Sequence, residues 1–146
     1  MKILAPLAGL LLAGLLVPAA FAADHQISML NKGALGAMVF EPGFVRVAPG
    51  DTVTFIATDK THNAETIPGL LPEGATPFKG KTNEEIQVTF DVPGAYGIKC
   101  LPHFAMGMVA LIVVGDEAPD MTAFTETKLP PKARQRMDAY IAEMSQ

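Results

Sequence analysis

The sequence predicts an all-β fold, a Greek-key β-sandwich with two α-helices packed on it at the C-terminal end. Three observations carry this. Residues 24–115 hold short stretches of alternating apolar and polar residues. Gly/Pro turns separate them at short intervals. After Gly115 the pattern changes to helical spacing. Many short strands with frequent turns fold as two packed sheets.

The elements follow in order. HQISMLN (25–31) sets Ile27 and Met29 against Gln26 and Ser28, a half-buried strand. FVRVAPGDTVTFIAT (44–58) gives strands Phe44–Ala48 and Thr52–Thr58 around a Pro49-Gly50-Asp51 turn. Residues 59–85 lack periodicity and form a long excursion, the kind of segment that carries function. IQVTF (86–90) puts Ile86, Val88 and Phe90 on one face, and AYGIKC (95–100) does the same for Tyr96, Ile98 and Cys100. MVALIVV (108–114) is apolar throughout, as a strand covered on both sides must be. In the tail, 120–127 can form a short helix, and Pro131 suits the first turn of a second, PKARQRMDAYIAEM. There Ala133, Met137, Tyr140/Ile141 and Met144 make a stripe that should dock on the sandwich as a packing appendage.

The N-terminus reads as a leader. MKILAPLAGLLLAGLLVPAAFA has one positive charge, an apolar run and a small-residue Ala20-Phe21-Ala22 end. Residues 1–22 are therefore expected to be a cleaved Sec-type signal peptide. Residues 23–146 are then one domain, with 23–115 the sandwich and 116–146 the helical extension. Export to the periplasm follows, as a monomer without stable membrane association. Loss of Lys2 leaves 10 basic against 15 acidic residues, a balance that excludes a nucleic-acid partner. A single cysteine forms no internal disulfide, and a free thiol in an oxidising compartment needs protection by burial or by metal.

That cysteine sits in GIKCLPHFAMGM (97–108). Cys100, His103 and Met108 are a thiolate, an imidazole and a thioether that a chain reversal returns to one point. Pro102 stiffens the turn between them. A His2Cys set with a long axial Met is the arrangement of an electron-transfer copper site. It needs a second histidine. His25, near the mature N-terminus, suits no ligand role, so His62 in DKTHNAET is the remaining candidate. Met106 competes with Met108 for the axial place; Met108 is the expected ligand and Met106 the surface residue. Structural zinc suits one Cys, two His and one Met poorly.

These residues resemble the cupredoxins, the type 1 blue copper family. The matching stretches are MLNKG (29–33), FEPGFVRVAPGDTVTF (40–55), DKTHN (59–63), VPGAYGIKC (92–100) and CLPHFAMGM (100–108), followed by two helices. The resemblance implies one copper ion held by His62, Cys100, His103 and Met108. It implies that Asn63 steadies the thiolate through a backbone hydrogen bond and joins the two ligand loops. Pro102 and Met38 are expected beside the ligands. Ser28 stands where members often carry histidine, and Thr61 where glycine is common.

Four protein ligands leave no open position for a substrate, so a carrier rather than an enzyme is expected. The adjacent Cys-His pair and extra histidines that serve second copper centres in multicopper oxidases and nitrite reductases are absent from the sequence. Electrons are expected to leave by the edge of His103, within an apolar patch of Phe104, Ala105, Met106 and Pro42. Lys32, Lys60, Lys79, Lys81 and Lys99 form a positive rim that steers acidic partners. The resemblance implies a periplasmic redox partner: a copper nitrite reductase, cytochromes c or a quinol-linked complex. The competing expectation is a periplasmic protein that stores or delivers copper.

Overall fold

The computed structural model describes residues 20–146, so the expected leader lies, apart from its last three residues, outside the described residues. Eight strands form two four-stranded sheets. They are β1 (Asp24–Gly33), β2 (Gly36–Glu41), β3 (Phe44–Val47), β4 (Asp51–Ile56), β5 (Glu65–Thr66), β6 (Ile86–Phe90), β7 (Gly94–Lys99) and β8 (Val109–Val114). One sheet runs β2-β1-β4-β6 and the other β3-β8-β7-β5. β1/β4 and β3/β8 pair in parallel, and the remaining neighbours are antiparallel. Two helices follow, α1 (Thr122–Glu126) and α2 (Pro131–Met144). Among the described residues, no helix is long and apolar enough to cross a membrane.

The alternation read from the sequence is the alternation of the core. Ile27, Met29, Val53, Phe55, Phe90, Tyr96 and Ile98 fill the space between the sheets. β8 serves two layers: Ala110, Ile112 and Val114 face that space, while Val109, Leu111 and Val113 face the helices. That double coverage explains its continuous apolar run. The stripe on α2 docks as expected, with Ala133, Met137 and Tyr140 buried against Leu111, Val113 and Phe124. Burying a side chain such as Met137 contributes about 1.5–3 kcal/mol.

Two strands escaped the sequence reading. β2 carries Met38 at φ +51, and its ladder with β1 skips one pair there, between Leu30↔Val39 and Lys32↔Ala37. That irregularity breaks the period-two pattern. β5 has only two residues, too few to show any period.

Candidate metal centre

Cys100 is the first residue beyond β7, with extended backbone, and it caps a short 3-10 turn over Leu101–Met106. The turn is tied at its ends by three backbone hydrogen bonds. Cys100 N–H donates to Met108 O at 3.0 Å, Met108 N–H to His103 O at 3.2 Å, and His103 N–H to Cys100 O at 3.2 Å. The three donor residues of the sequence motif thus hold one another's backbones. Pro102 opens the turn, where its missing N–H would have had no helical partner. Gly107 closes it at φ +89, in the left-handed region glycine adopts without strain.

The fourth residue arrives from the loop after β4. His62 is fully buried, and its Nε2 lies 2.9 Å from Asn31 Oδ1 on β1. The carbonyl oxygen of an amide only accepts, so Nε2 carries the proton and Nδ1 is left with its lone pair. Asn31 is held in turn, since its N–H donates to Asp59 Oδ2 at 2.7 Å.

The donor atoms converge. His62 Nδ1, His103 Nδ1 and Cys100 Sγ all lie within 4.8 Å of one another. The separations are 3.0 Å between the two nitrogens, 3.7 Å from Sγ to His62 and 3.5 Å from Sγ to His103. Two bare lone pairs at 3.0 Å repel, so the pair requires a shared proton or a shared cation. First-row metals bind N and S at roughly 2.0–2.3 Å, which places trigonal ligands about 3.5–4 Å apart. The sulfur–nitrogen edges already have that length. Met108 is fully buried in the same core cluster as Cys100. A soft thiolate and thioether with two imidazoles fit copper by donor type. His25 stands outside this group, and its Nε2 pairs with Asp51 Oδ2 at 2.9 Å.

The local electrostatics act differently on the two buried donors. Burial lowers the pKa of His62, the His103 charge adds to this, and Asp59 opposes it. The ring is therefore held neutral, as a ligand must be. Burial raises the pKa of the Cys100 thiol, while the backbone N–H groups of Asn63 and His103 pull it down and Glu65 pushes it further up. Asn63 also joins the two ligand loops: its Oδ1 accepts the Leu101 N–H at 2.7 Å. Its Nδ2 donates to Glu65 Oε2 at 3.0 Å and to Gly80 O at 3.1 Å.

Around the centre, His103 is the one converging donor residue with partial exposure. Leu101 and Met106 stand exposed on the turn, and Met106 shares a groove with the exposed Leu35 at the β1–β2 tip. Ala105 and Pro42 are exposed and Phe104 is half-buried. Lys32, Lys60, Lys79 and Lys81 are exposed. Lys99 departs from the expected rim. Its Nζ lies 3.5 Å from Glu65 Oε1 and 5.1 Å above the centre of the Phe104 ring, and its side chain is 13% exposed. Placement on β7, facing a buried carboxylate on β5, draws it inward.

The structure adds residues the sequence reading missed. Asn31 lies within the quoted MLNKG stretch, but nothing local marks it as the partner of His62. Asn83 accepts the Thr61 N–H through Oδ1 at 2.6 Å, and its own N–H donates to His62 O at 2.8 Å. Arg136 makes α2 more than a packing appendage. Its guanidinium donates to the carbonyls of Met38 at 2.6 Å, Gly107 at 2.9 Å and Ala37 at 2.8 Å. The helix is thereby strapped to the backbone of the ligand turn and to Met38.

Comparison with known proteins follows the same line. The family model for copper binding proteins of the plastocyanin/azurin family matches residues 27–115. The chain is 59% identical over 124 residues to a putative pseudoazurin of Rhizobium leguminosarum bv. viciae, covering 85% of this chain and 82% of that one. It is 54% identical over 125 residues to the pseudoazurin of Paracoccus pantotrophus, covering 86% of each. Among solved structures, the pseudoazurin of Methylobacterium extorquens AM1 matches with a TM-score of 0.80 at 44% identity, over 83% of this chain and 98% of that one.

Proposed function

This chain belongs to the plastocyanin/azurin family of copper-binding proteins, and within it to the pseudoazurins; from that premise we propose that this type 1 copper electron carrier works in the periplasm and delivers single electrons to a reductase. The observation that carries the reading is the meeting of Cys100 Sγ with two imidazole Nδ1 atoms at a largely buried point. His62, Cys100, His103 and Met108 hold the copper. Bound copper supplies a one-electron Cu(II)/Cu(I) couple with no proton or substrate to handle.

The residues account for the rest. The ring of backbone hydrogen bonds through Cys100, His103 and Met108 keeps donor spacing constant in both charge states, so little reorganisation accompanies transfer. Asn31 fixes the tautomer of His62. His103 offers the route outward, and Leu101, Ala105 and Met106 surround it with apolar surface suited to a small, short-lived contact. Lys32, Lys60, Lys79 and Lys81 supply a positive rim on a chain of net negative charge. A copper nitrite reductase is the partner the family resemblance suggests, with cytochromes c as the other candidates.

Residues 23–146 form the mature domain in this reading. Ala23 N lies 2.8 Å from Asp51 Oδ1, where cleavage after Ala22 sets an α-ammonium beside a carboxylate. The intact mass of protein isolated from the periplasm checks this.

The test is colour. Cu(II)-loaded protein should show an intense sulfur-to-copper absorption that bleaches reversibly on reduction, and Cys100→Ser should abolish it. Colourless Cu(II) binding with rapid loss to a weak chelator would instead indicate copper storage or delivery. Lys32→Glu with Lys60→Glu should slow electron transfer to the reductase at low salt, and the difference should shrink as salt rises.

A further inference from the structure

We propose that Glu65 and Lys99 act on the reduction potential of the copper site in opposite directions and are balanced by their ion pair, with Asn63 as the rigid link from the Glu65 carboxylate to the Cys100 loop. The proposal rests on the copper-carrier reading above. Glu65 on β5 and Lys99 on β7 are direct antiparallel partners, and their side chains are 8% and 13% exposed. Salt therefore screens the pair weakly.

Both ends of the pair reach the ligand turn. Glu65 Oε2 accepts from Asn63 Nδ2 at 3.0 Å, and Asn63 Oδ1 accepts the N–H of Leu101, the residue after Cys100, at 2.7 Å. Lys99 immediately precedes Cys100, and its Nζ lies 5.1 Å above the Phe104 ring centre.

The sign follows from the net charge of the centre. With one thiolate, the oxidised centre is one unit more positive than the reduced one. A nearby carboxylate favours the oxidised form and lowers the potential; a nearby ammonium does the opposite. In the intact pair these effects largely cancel. A buried ion pair adds little net stability, because desolvation offsets the attraction. Its measurable effect falls on the neighbouring charge.

The copper-loaded variants Glu65→Gln, Lys99→Gln and the double variant separate this from a structural role. Potential is read by redox titration of the sulfur-to-copper absorption. Glu65→Gln should raise it, Lys99→Gln should lower it, and the double variant should return close to the parent value. Hydrogen exchange of the Leu101 amide in copper-free protein gives a second reading, faster in Glu65→Gln than in Lys99→Gln. A structural role alone lowers the melting temperature of both single variants without opposing shifts in potential. Shifts of the same sign, or none, overturn the proposal. If Glu65→Gln fails to fold, Lys99→Gln decides alone: a fall supports the proposal, a rise or no change overturns it. Absence of the absorption in the parent protein overturns the copper reading and this proposal together. A band that is present but unresponsive overturns this proposal only.

Discussion

Replacing Thr61 with glycine should make the protein more stable, against the usual effect of adding a glycine. Thr61 has φ +75, a left-handed conformation, immediately before His62. A non-glycine residue there costs about 1–2 kcal/mol, and branching at Cβ places threonine toward the upper end. Little offsets the strain. The side chain is exposed, and among the described residues only its backbone N–H is hydrogen-bonded, to Asn83 Oδ1. Glycine keeps that bond. It also adds freedom to the unfolded chain, which takes back about 0.4–1 kcal/mol.

The net expectation for Thr61→Gly is a gain of about 0.5–1 kcal/mol, or roughly 2–5 °C in melting temperature for a domain of this size. Denaturant and thermal unfolding of the copper-free protein measure it without the added stabilisation of bound metal. The copper absorption should stay unchanged, since Asn31 and Asn83 still hold the ring and carbonyl of His62. A variant no more stable than the parent refutes the strain argument.

Three further outcomes follow from the same geometry. Arg136→Met removes three hydrogen bonds to backbone carbonyls; allowing for partial rehydration it should cost about 2–4 kcal/mol in denaturant unfolding and speed copper loss to a chelator. Gly107→Ala meets both a left-handed φ of +89 and a Lys132 carbonyl oxygen 3.0 Å from the added Cβ, so it should cost about 2–3 kcal/mol and lift α2 from the ligand turn, seen in the same assays. Asp51 is held at a pKa of about 2, first by its bond to His25 and then by the N–H groups of Ala23 and Ala48. A depressed carboxylate stabilises above its unfolded pKa and loses that contribution as pH falls through the folded value. Asp51→Asn should therefore melt lower than the parent at neutral pH, with the gap closing between about pH 4 and pH 2.

The ligands were legible because their chemistry is rare and their spacing local. Cys100, His103 and Met108 share one turn, and with three histidines in the chain, elimination reached His62. Core faces were legible wherever a strand was long enough to repeat, as in β1, β4, β6 and β7. β2 was not, because Met38 interrupts its pairing. The supporting residues were not legible for a different reason. Asn31, Asn83 and Arg136 reach the site across sequence separations that no local pattern encodes, and each is an ordinary polar residue until the fold places it.

Lys99 shows what decides such cases. By sequence it belongs with Lys32, Lys60 and Lys79, a basic residue beside a ligand. The pairing of β5 with β7 sets it opposite Glu65, and a shift of one residue in a strand exchanges its two faces. A one-residue slip of β5 would bring Thr66 opposite Lys99 and leave the amine without its carboxylate. The same slip would turn Asn63 away from Leu101 and break the bridge between the two ligand loops. Register in a two-residue strand thus sets both the outer charge of the site and the inner support of its thiolate. The ligand set is written in residue types, whereas the environment that tunes it is written in strand pairing.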